Sequence, residues 1–108
     1  MISRQEEIIY DYPYSLRKPI IINERIIKEV SVDSYVKKHE EHGITKELII
    51  DLVKLLKGGC FPPDGSQPKD KRFFKAYLPY GEKNYKLIWW WWLDKRDFIL
   101  YVRNCHPC

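Results

Sequence analysis

The sequence predicts an α+β fold in which two N-terminal helices pack on one face of an antiparallel sheet of about four strands, in the order β-α-α-β-β-β. Three observations predict this fold. Apolar residues recur at helical spacing over residues 46–57. Three later segments, at residues 72–78, 85–93 and 97–103, are rich in strand-forming residues. The middle segment contains Trp89-Trp90-Trp91-Trp92, and because side chains alternate along a strand, two indoles belong to each face of the sheet.

Length and composition predict one domain. The chain has 108 residues, of which 44% are apolar and 31% charged, as is typical of a globular protein with its own hydrophobic core. Residues 1–19 are predicted to form an extended N-terminal arm, because Pro13 and Pro19 interrupt regular structure. Residues 20–108 are then the folded domain.

The first predicted elements are a strand and a short helix. Residues 20–32 are rich in β-branched side chains and favour one strand, or a bent pair of strands that turns near Asn23. Ser31 or Asp33 can cap a short helix that reaches His42.

The second helix has the clearest periodicity in the chain. Thr45 can cap it, and residues 46–57 carry one broad apolar stripe. Gly58 and Gly59 end the helix, and residues 60–70, with three prolines, predict a long loop that is mobile or functional.

Strand alternation sorts the C-terminal side chains between two faces. Residues 79–84 and 94–96 are suited to hairpin turns between the three last strands. The helix-facing side chains are expected to be Phe74, Ala76, Leu78, Phe98, Leu100 and Val102, together with Trp89 and Trp91. The opposite face is expected to carry Lys75, Tyr77, Tyr101 and Arg103, together with Trp90 and Trp92.

The net charge of +4 is concentrated beside the tryptophans. Residues 1–68 hold 10 Lys or Arg against 11 Asp or Glu, whereas residues 69–108 hold nine against four, so the C-terminal part carries +5. A basic, aromatic sheet suits a phosphate-bearing partner, because cations neutralise phosphates and aromatic rings stack on bases. The other interpretation is a solubilising surface.

Neither a membrane span nor secretion is expected. No apolar run approaches the roughly 20 residues that a membrane-spanning helix needs. Three cysteines form an odd count that does not suggest a disulfide framework, so a cytoplasmic location is expected. One alternative is a zinc site in which Cys105 and Cys108 join His39 and His42, although the second cysteine is the last residue given.

Two stretches carry a family resemblance. The run His39-Glu40-Glu41-His42-Gly43-Ile44-Thr45 before the apolar helix, and the closing strands with Tyr85-Lys86-Leu87-Ile88-Trp89 and Ile99-Leu100-Tyr101-Val102-Arg103, resemble the RelE-like toxin superfamily of small ribonucleases. The resemblance covers roughly residues 26–106. It implies that residues 20–108 form a RelE-like α+β domain that cleaves RNA by attack of a ribose 2′-hydroxyl on the adjacent phosphate, without a metal or other cofactor. It also implies an antitoxin protein as partner.

Such a reaction needs a base, an acid and cations for the phosphoryl oxygens. The candidate catalytic residues are His39, Lys75, Tyr77, Tyr101 and Arg103. The candidate RNA-binding residues are Lys71, Arg72, Lys86, Trp90, Trp92, His42 and His106. Ribosome-bound messenger RNA is one candidate substrate. The alternative function is a non-catalytic module that binds RNA or a protein with the same basic, aromatic face, since Trp, Tyr and Arg are also enriched in interface hot spots.

Overall fold

The structure, a computed structural model, describes residues 12–32, 43–65, 68–94 and 98–108. Its elements are β1 (Tyr12–Ile22), β2 (Arg25–Val32), α1 (Lys46–Leu55), β3 (Lys71–Tyr80), β4 (Lys83–Trp92) and β5 (Ile99–Pro107). The strands form one sheet in the order β1-β2-β5-β4-β3. The β2 and β5 strands are parallel, and the other neighbouring strands are antiparallel.

The predicted fold class of two helices on a four-stranded antiparallel sheet is wrong. The described residues contain one helix and a five-stranded mixed sheet. Residues 12–19, predicted as part of an arm, belong to β1, so the expected boundary at residue 20 falls inside a strand. Two prolines are tolerated in β1 because it is an edge strand, where one row of backbone groups needs no neighbour. Ser31, one of the two predicted caps of the first helix, lies inside β2, so that alternative is wrong. Residues 33–42, which include the other cap, Asp33, lie outside the described residues.

The C-terminal half agrees with the sequence-based prediction more closely than the N-terminal half does. The β3, β4 and β5 strands are antiparallel neighbours in chain order, which confirms the two predicted hairpin pairings. The first turn is tighter than expected, because it consists of Gly81 and Glu82 alone, with Gly81 at a φ of 66°. Glycine adopts this left-handed conformation without a steric penalty.

The α1 helix covers one face of the sheet. The hydroxyl of Thr45 accepts a hydrogen bond from the backbone N–H of Leu48 at 3.2 Å, which confirms the predicted cap. The apolar stripe buries Leu48, Ile49, Leu52 and Val53. The Tyr80 hydroxyl donates to a carboxylate oxygen of Asp51 at 2.6 Å and so ties α1 to the end of β3. This hydrogen bond also raises the pKa of the Tyr80 hydroxyl above its ordinary value, since it favours the protonated form.

The tryptophan run divides between the two faces as the alternation predicts. Trp89 and Trp91 are buried in the core beneath α1, whereas Trp90 and Trp92 are half-buried on the other face. One expected core residue is placed differently. Phe98 precedes β5 and is 40% exposed, with a φ of 61°, because the chain turns there before the strand begins.

The turn between β1 and β2 consists of Asn23 and Glu24, as the bent-pair alternative predicts. Both residues have positive φ, 51° for Asn23 and 64° for Glu24, as in the type I′ turns that match the twist of a hairpin. Asparagine tolerates this conformation better than glutamate does, and glycine tolerates it best. Glu24 is therefore a strained position in the fold.

We expect the Glu24→Gly variant to be more stable than the wild type. A left-handed backbone costs an L-residue about 1–2 kcal/mol, and glycine removes that strain but loses about 0.5–1 kcal/mol of chain entropy, so the middle values of the two ranges give a net gain of about 0.7 kcal/mol. Urea unfolding measures the difference. The matched control is Glu82→Gly in the second turn, where φ is not positive, and this change is expected to destabilise. Equal effects of the two variants would contradict the strain at Glu24.

Residues 58–64 form a loop that is hydrogen-bonded at both ends. The Gly58 N–H donates to the Ile21 carbonyl at 2.7 Å. The Asn23 side chain pairs with the backbone of Phe61, donating to its carbonyl at 2.9 Å and accepting from its N–H at 2.6 Å. Further along, the Asp64 N–H donates to the Phe73 carbonyl at 2.9 Å. The loop therefore joins the β1–β2 turn to the edge strand β3.

Candidate nucleic-acid interface

The face of the sheet opposite α1 carries most of the predicted site residues and is called here the aromatic face. Register places its side chains in three rows across β3, β4 and β5, because paired residues lie side by side. The rows are Phe73, Trp90 and Tyr101; then Lys75, Ile88 and Asn104; then Tyr77, Lys86 and His106. Adjacent rows are two residues, or about 7 Å, apart along β3 and β4.

The first row is the centre of an aromatic cluster formed by Phe73, Trp90, Trp92 and Tyr101. The rings of Trp90 and Tyr101 are stacked, with centroids 4.3 Å apart and planes inclined by 12°. Phe73 lies 6.0 Å from Trp90, and Trp92 meets Trp90 edge-on at 5.0 Å. These half-buried rings form a continuous aromatic patch on this face.

Lys71 brings a positive charge to the aromatic cluster. Its Nζ atom lies 4.5 Å from the centroid of Trp90 and 5.2 Å from that of Trp92. An ammonium group over an indole face is stabilised by the ring quadrupole. The cluster therefore combines aromatic rings with a cation at the end of the sheet where β3 begins.

The third row contains groups that can transfer protons or hold a phosphate. Tyr77 is 58% exposed, and Lys86 Nζ lies 5.9 Å from the centroid of its ring. His106 is the register neighbour of Lys86 on β5. Its Nδ1 lies 3.3 Å from the carbonyl oxygen of Pro107. The row thus places a phenol, an ammonium and an imidazole on neighbouring strands.

Lys75, in the middle row, forms an ion pair with the loop. Its Nζ atom lies 3.2 Å from a carboxylate oxygen of Asp64. The hydrogen bond to this carboxylate, together with its negative charge, raises the pKa of Lys75 above its ordinary value. Lys75 is therefore cationic at neutral pH.

A β-bulge in β5 brings Arg103 and His106 to the same face. Trp89 pairs with Val102 and Ile88 pairs with Asn104, so Arg103 is the extra residue. Val102 and Cys105 are both buried, so Arg103 and Asn104 lie together on the aromatic face. Without the bulge, strict alternation would direct His106 toward the core.

The structure does not bring all the predicted residues together. His39 and His42 lie outside the described residues. Arg72 shares its side of β3 with buried Phe74 and pairs with buried Trp91, so it lies on the α1 face. The aromatic face holds the other predicted site residues: Lys71, Lys75, Tyr77, Lys86, Trp90, Trp92, Tyr101, Arg103 and His106.

Phe73, Asn104 and Asp64 are residues of this surface that the sequence analysis missed. Phe73 alternates with Phe74, so the alternation that placed Lys75 and Tyr77 was a sufficient signal for it. Asp64 lies in a loop between prolines and glycine, and no local pattern indicates that it reaches Lys75, 11 positions later.

The zinc alternative receives no support from the described part of the chain. Cys105 is buried in the core, and burial raises the pKa of its thiol to about 12, which opposes the thiolate form that binds zinc. Among the described residues, no group of three or more His, Cys, Asp or Glu side chains is placed to hold a metal ion.

No protein-family model, curated protein or solved structure matches the chain. Within the described residues, no helix has both the length and the apolar character needed to cross a lipid bilayer.

Proposed function

We propose that this protein is a metal-independent endoribonuclease that binds single-stranded RNA on the aromatic face. The observation that supports the proposal is the order of the rows: an aromatic cluster with Lys71, then Lys75 with Ile88 and Asn104, then Tyr77, Lys86 and His106. Unpaired bases stack on aromatic side chains, and basic side chains follow the phosphates between them. A single strand laid across the rows meets stacking groups at one end and proton-transfer groups at the other.

The reaction follows from the chemistry of these side chains. A ribose 2′-oxygen loses its proton to a base and attacks the adjacent phosphorus, and the bond to the 5′-oxygen breaks as an acid protonates it. The products are a 2′,3′-cyclic phosphate and a free 5′-hydroxyl. Tyr77 and His106 are the proposed proton-transfer groups among the described residues, and His39 stays a predicted one. Lys75, Lys86 and Arg103 would stabilise the charge on the phosphoryl oxygens.

The wider role is also part of the proposal. The resemblance to RelE-like toxins suggests a cytoplasmic toxin that an antitoxin protein keeps inactive. An antitoxin that covers the aromatic face would block RNA from the aromatic cluster and the cation rows together, so inhibition and substrate binding would compete for one surface.

The direct test is cleavage of a single-stranded RNA in the presence of EDTA. We expect the purified protein to cut it and to leave a 2′,3′-cyclic phosphate, which mass spectrometry identifies. The matched substrate has the same sequence with a 2′-deoxynucleotide at the cleavage position, and it should remain intact there because it lacks the attacking oxygen. Absence of cleavage in every preparation, or cleavage of the deoxy-substituted site, would rule out the proposed reaction.

A module that binds RNA without cutting it is the second candidate. The aromatic cluster and Lys71 favour it, since stacking and cation contacts need no proton transfer. Binding whose affinity falls steeply with salt, without any cleavage, would establish this candidate in place of the nuclease.

A further inference from the structure

The ion pair between Lys75 and Asp64 lies within the proposed RNA-binding surface. The two side chains are each 39% exposed, and Nζ is 3.2 Å from the carboxylate oxygen. Asp64 does not reach Lys75 from a free loop, because its own N–H donates to the Phe73 carbonyl on β3. The backbone therefore holds the carboxylate beside the edge strand, next to the middle row.

A carboxylate oxygen and a phosphate oxygen make the same kind of contact with an ammonium group. Both are charge-assisted acceptors at similar distances. Lys75 is also the cation of the middle row, between the aromatic cluster and the row of Tyr77, Lys86 and His106. A backbone phosphate of an RNA strand that crosses the rows would meet Lys75 where Asp64 now meets it.

We infer that Lys75 is a phosphate subsite of the aromatic face and that Asp64 is its internal competitor. This inference rests on the proposed function for its ligand, an RNA phosphate. It makes Asp64 a residue that lowers the affinity of the aromatic face for RNA. Exposed ion pairs are weak, so a phosphate of a polyanion can displace the carboxylate, but each binding event must first break the pair.

The test compares Asp64→Asn with Glu82→Gln. Both changes remove one negative charge, and asparagine keeps the size of the side chain and the backbone N–H that bonds to Phe73. Glu82 lies in the exposed β3–β4 turn, away from the rows. Affinity is measured for a single-stranded RNA decamer, made non-cleavable by 2′-deoxy substitution, and for inorganic polyphosphate, which has neither bases nor sugars.

We expect Asp64→Asn to bind both probes about two- to fivefold more tightly than the wild type at low salt, as the strength of an exposed ion pair implies. For the decamer, the slope of log affinity against log salt should steepen by up to about 0.7, the value for one phosphate contact, because the charge of Lys75 is no longer offset by that of Asp64. Glu82→Gln should change the affinity for each probe by less than half as much as Asp64→Asn does. In a Lys75→Gln background, Asp64→Asn should no longer differ from Glu82→Gln, because the competed cation is gone.

The outcomes separate the inference from the proposed function. If Asp64→Asn and Glu82→Gln have equal effects on both probes, the inference is overturned whether or not RNA binds. If polyphosphate shows the gain but neither the wild type nor Asp64→Asn binds the decamer, the phosphate subsite stands and RNA binding is overturned.

Discussion

Replacing Trp89 by alanine is expected to lower the free energy of unfolding by about 3–5 kcal/mol, the range for large aromatic side chains removed from a core. Trp89 is 0% exposed, and its ring stacks on Phe74 at 5.6 Å and meets Phe61 edge-on at 5.2 Å. Because the free energy of unfolding of a small domain is only about 5–15 kcal/mol in total, the variant should be close to unfolding at room temperature. Urea unfolding measures the loss, and a low expression yield would be consistent with it.

The neighbouring positions supply the controls. Trp92 is half-buried on the aromatic face, so Trp92→Ala should cost only about 1–2 kcal/mol, mostly from the lost aromatic contacts. Trp89→Phe should cost much less than Trp89→Ala. Among the residues that the structure describes, the buried indole Nε1 of Trp89 finds no hydrogen-bond partner, and phenylalanine removes the penalty of burying that N–H, which is about 1–3 kcal/mol. Equal losses at positions 89 and 92 would contradict the assignment of the two faces.

Replacing His106 by alanine is expected to reduce RNA cleavage by about 10²- to 10⁴-fold, the usual contribution of one acid or base to a reaction. His106 reaches the aromatic face through the bulge at Arg103 and lies beside Lys86 in the row that contains Tyr77. Single-turnover cleavage with saturating protein measures the chemical step, so that weaker binding does not contribute. Binding of a non-cleavable RNA should fall less than fivefold.

The control for His106 is Lys83→Ala, because Lys83 lies at the exposed start of β4, outside the three rows. This variant should cut at close to the wild-type rate. If His106→Ala cuts as fast as Lys83→Ala does, proton transfer belongs to other residues, and His39 becomes the first to test.

The local parts of the fold could be predicted from the sequence because local patterns determine them. The apolar stripe and Thr45 predicted α1 and its start, and strand alternation placed the four tryptophans correctly. The pairing between segments that are distant in the sequence could not be predicted. Nothing in residues 20–32 indicates that β2 pairs with β5 in parallel, because that pairing joins segments about 70 residues apart.

The candidate site was predictable to the same extent. Alternation within single strands placed Lys75, Tyr77 and Tyr101 on the correct side. Arg72 was predicted as an RNA-binding residue because it is a basic residue on a strand, although alternation assigns it to the side of Phe74. The bulge that turns His106 toward Lys86 depends on packing between β4 and β5, and sequence alternation contains no sign of it.

The loop at residues 58–64, which is hydrogen-bonded to the sheet at both ends, affects how the sheet unfolds locally. Its contacts join the β1–β2 turn at one edge of the sheet to β3 at the other, through the side chain of Asn23 and the backbone of Asp64. Two edges that would otherwise fray independently are thereby made to open as one cooperative unit. The backbone of Asp64 therefore belongs to the scaffold, and its side chain stays within reach of Lys75 for as long as the two sheet edges are formed.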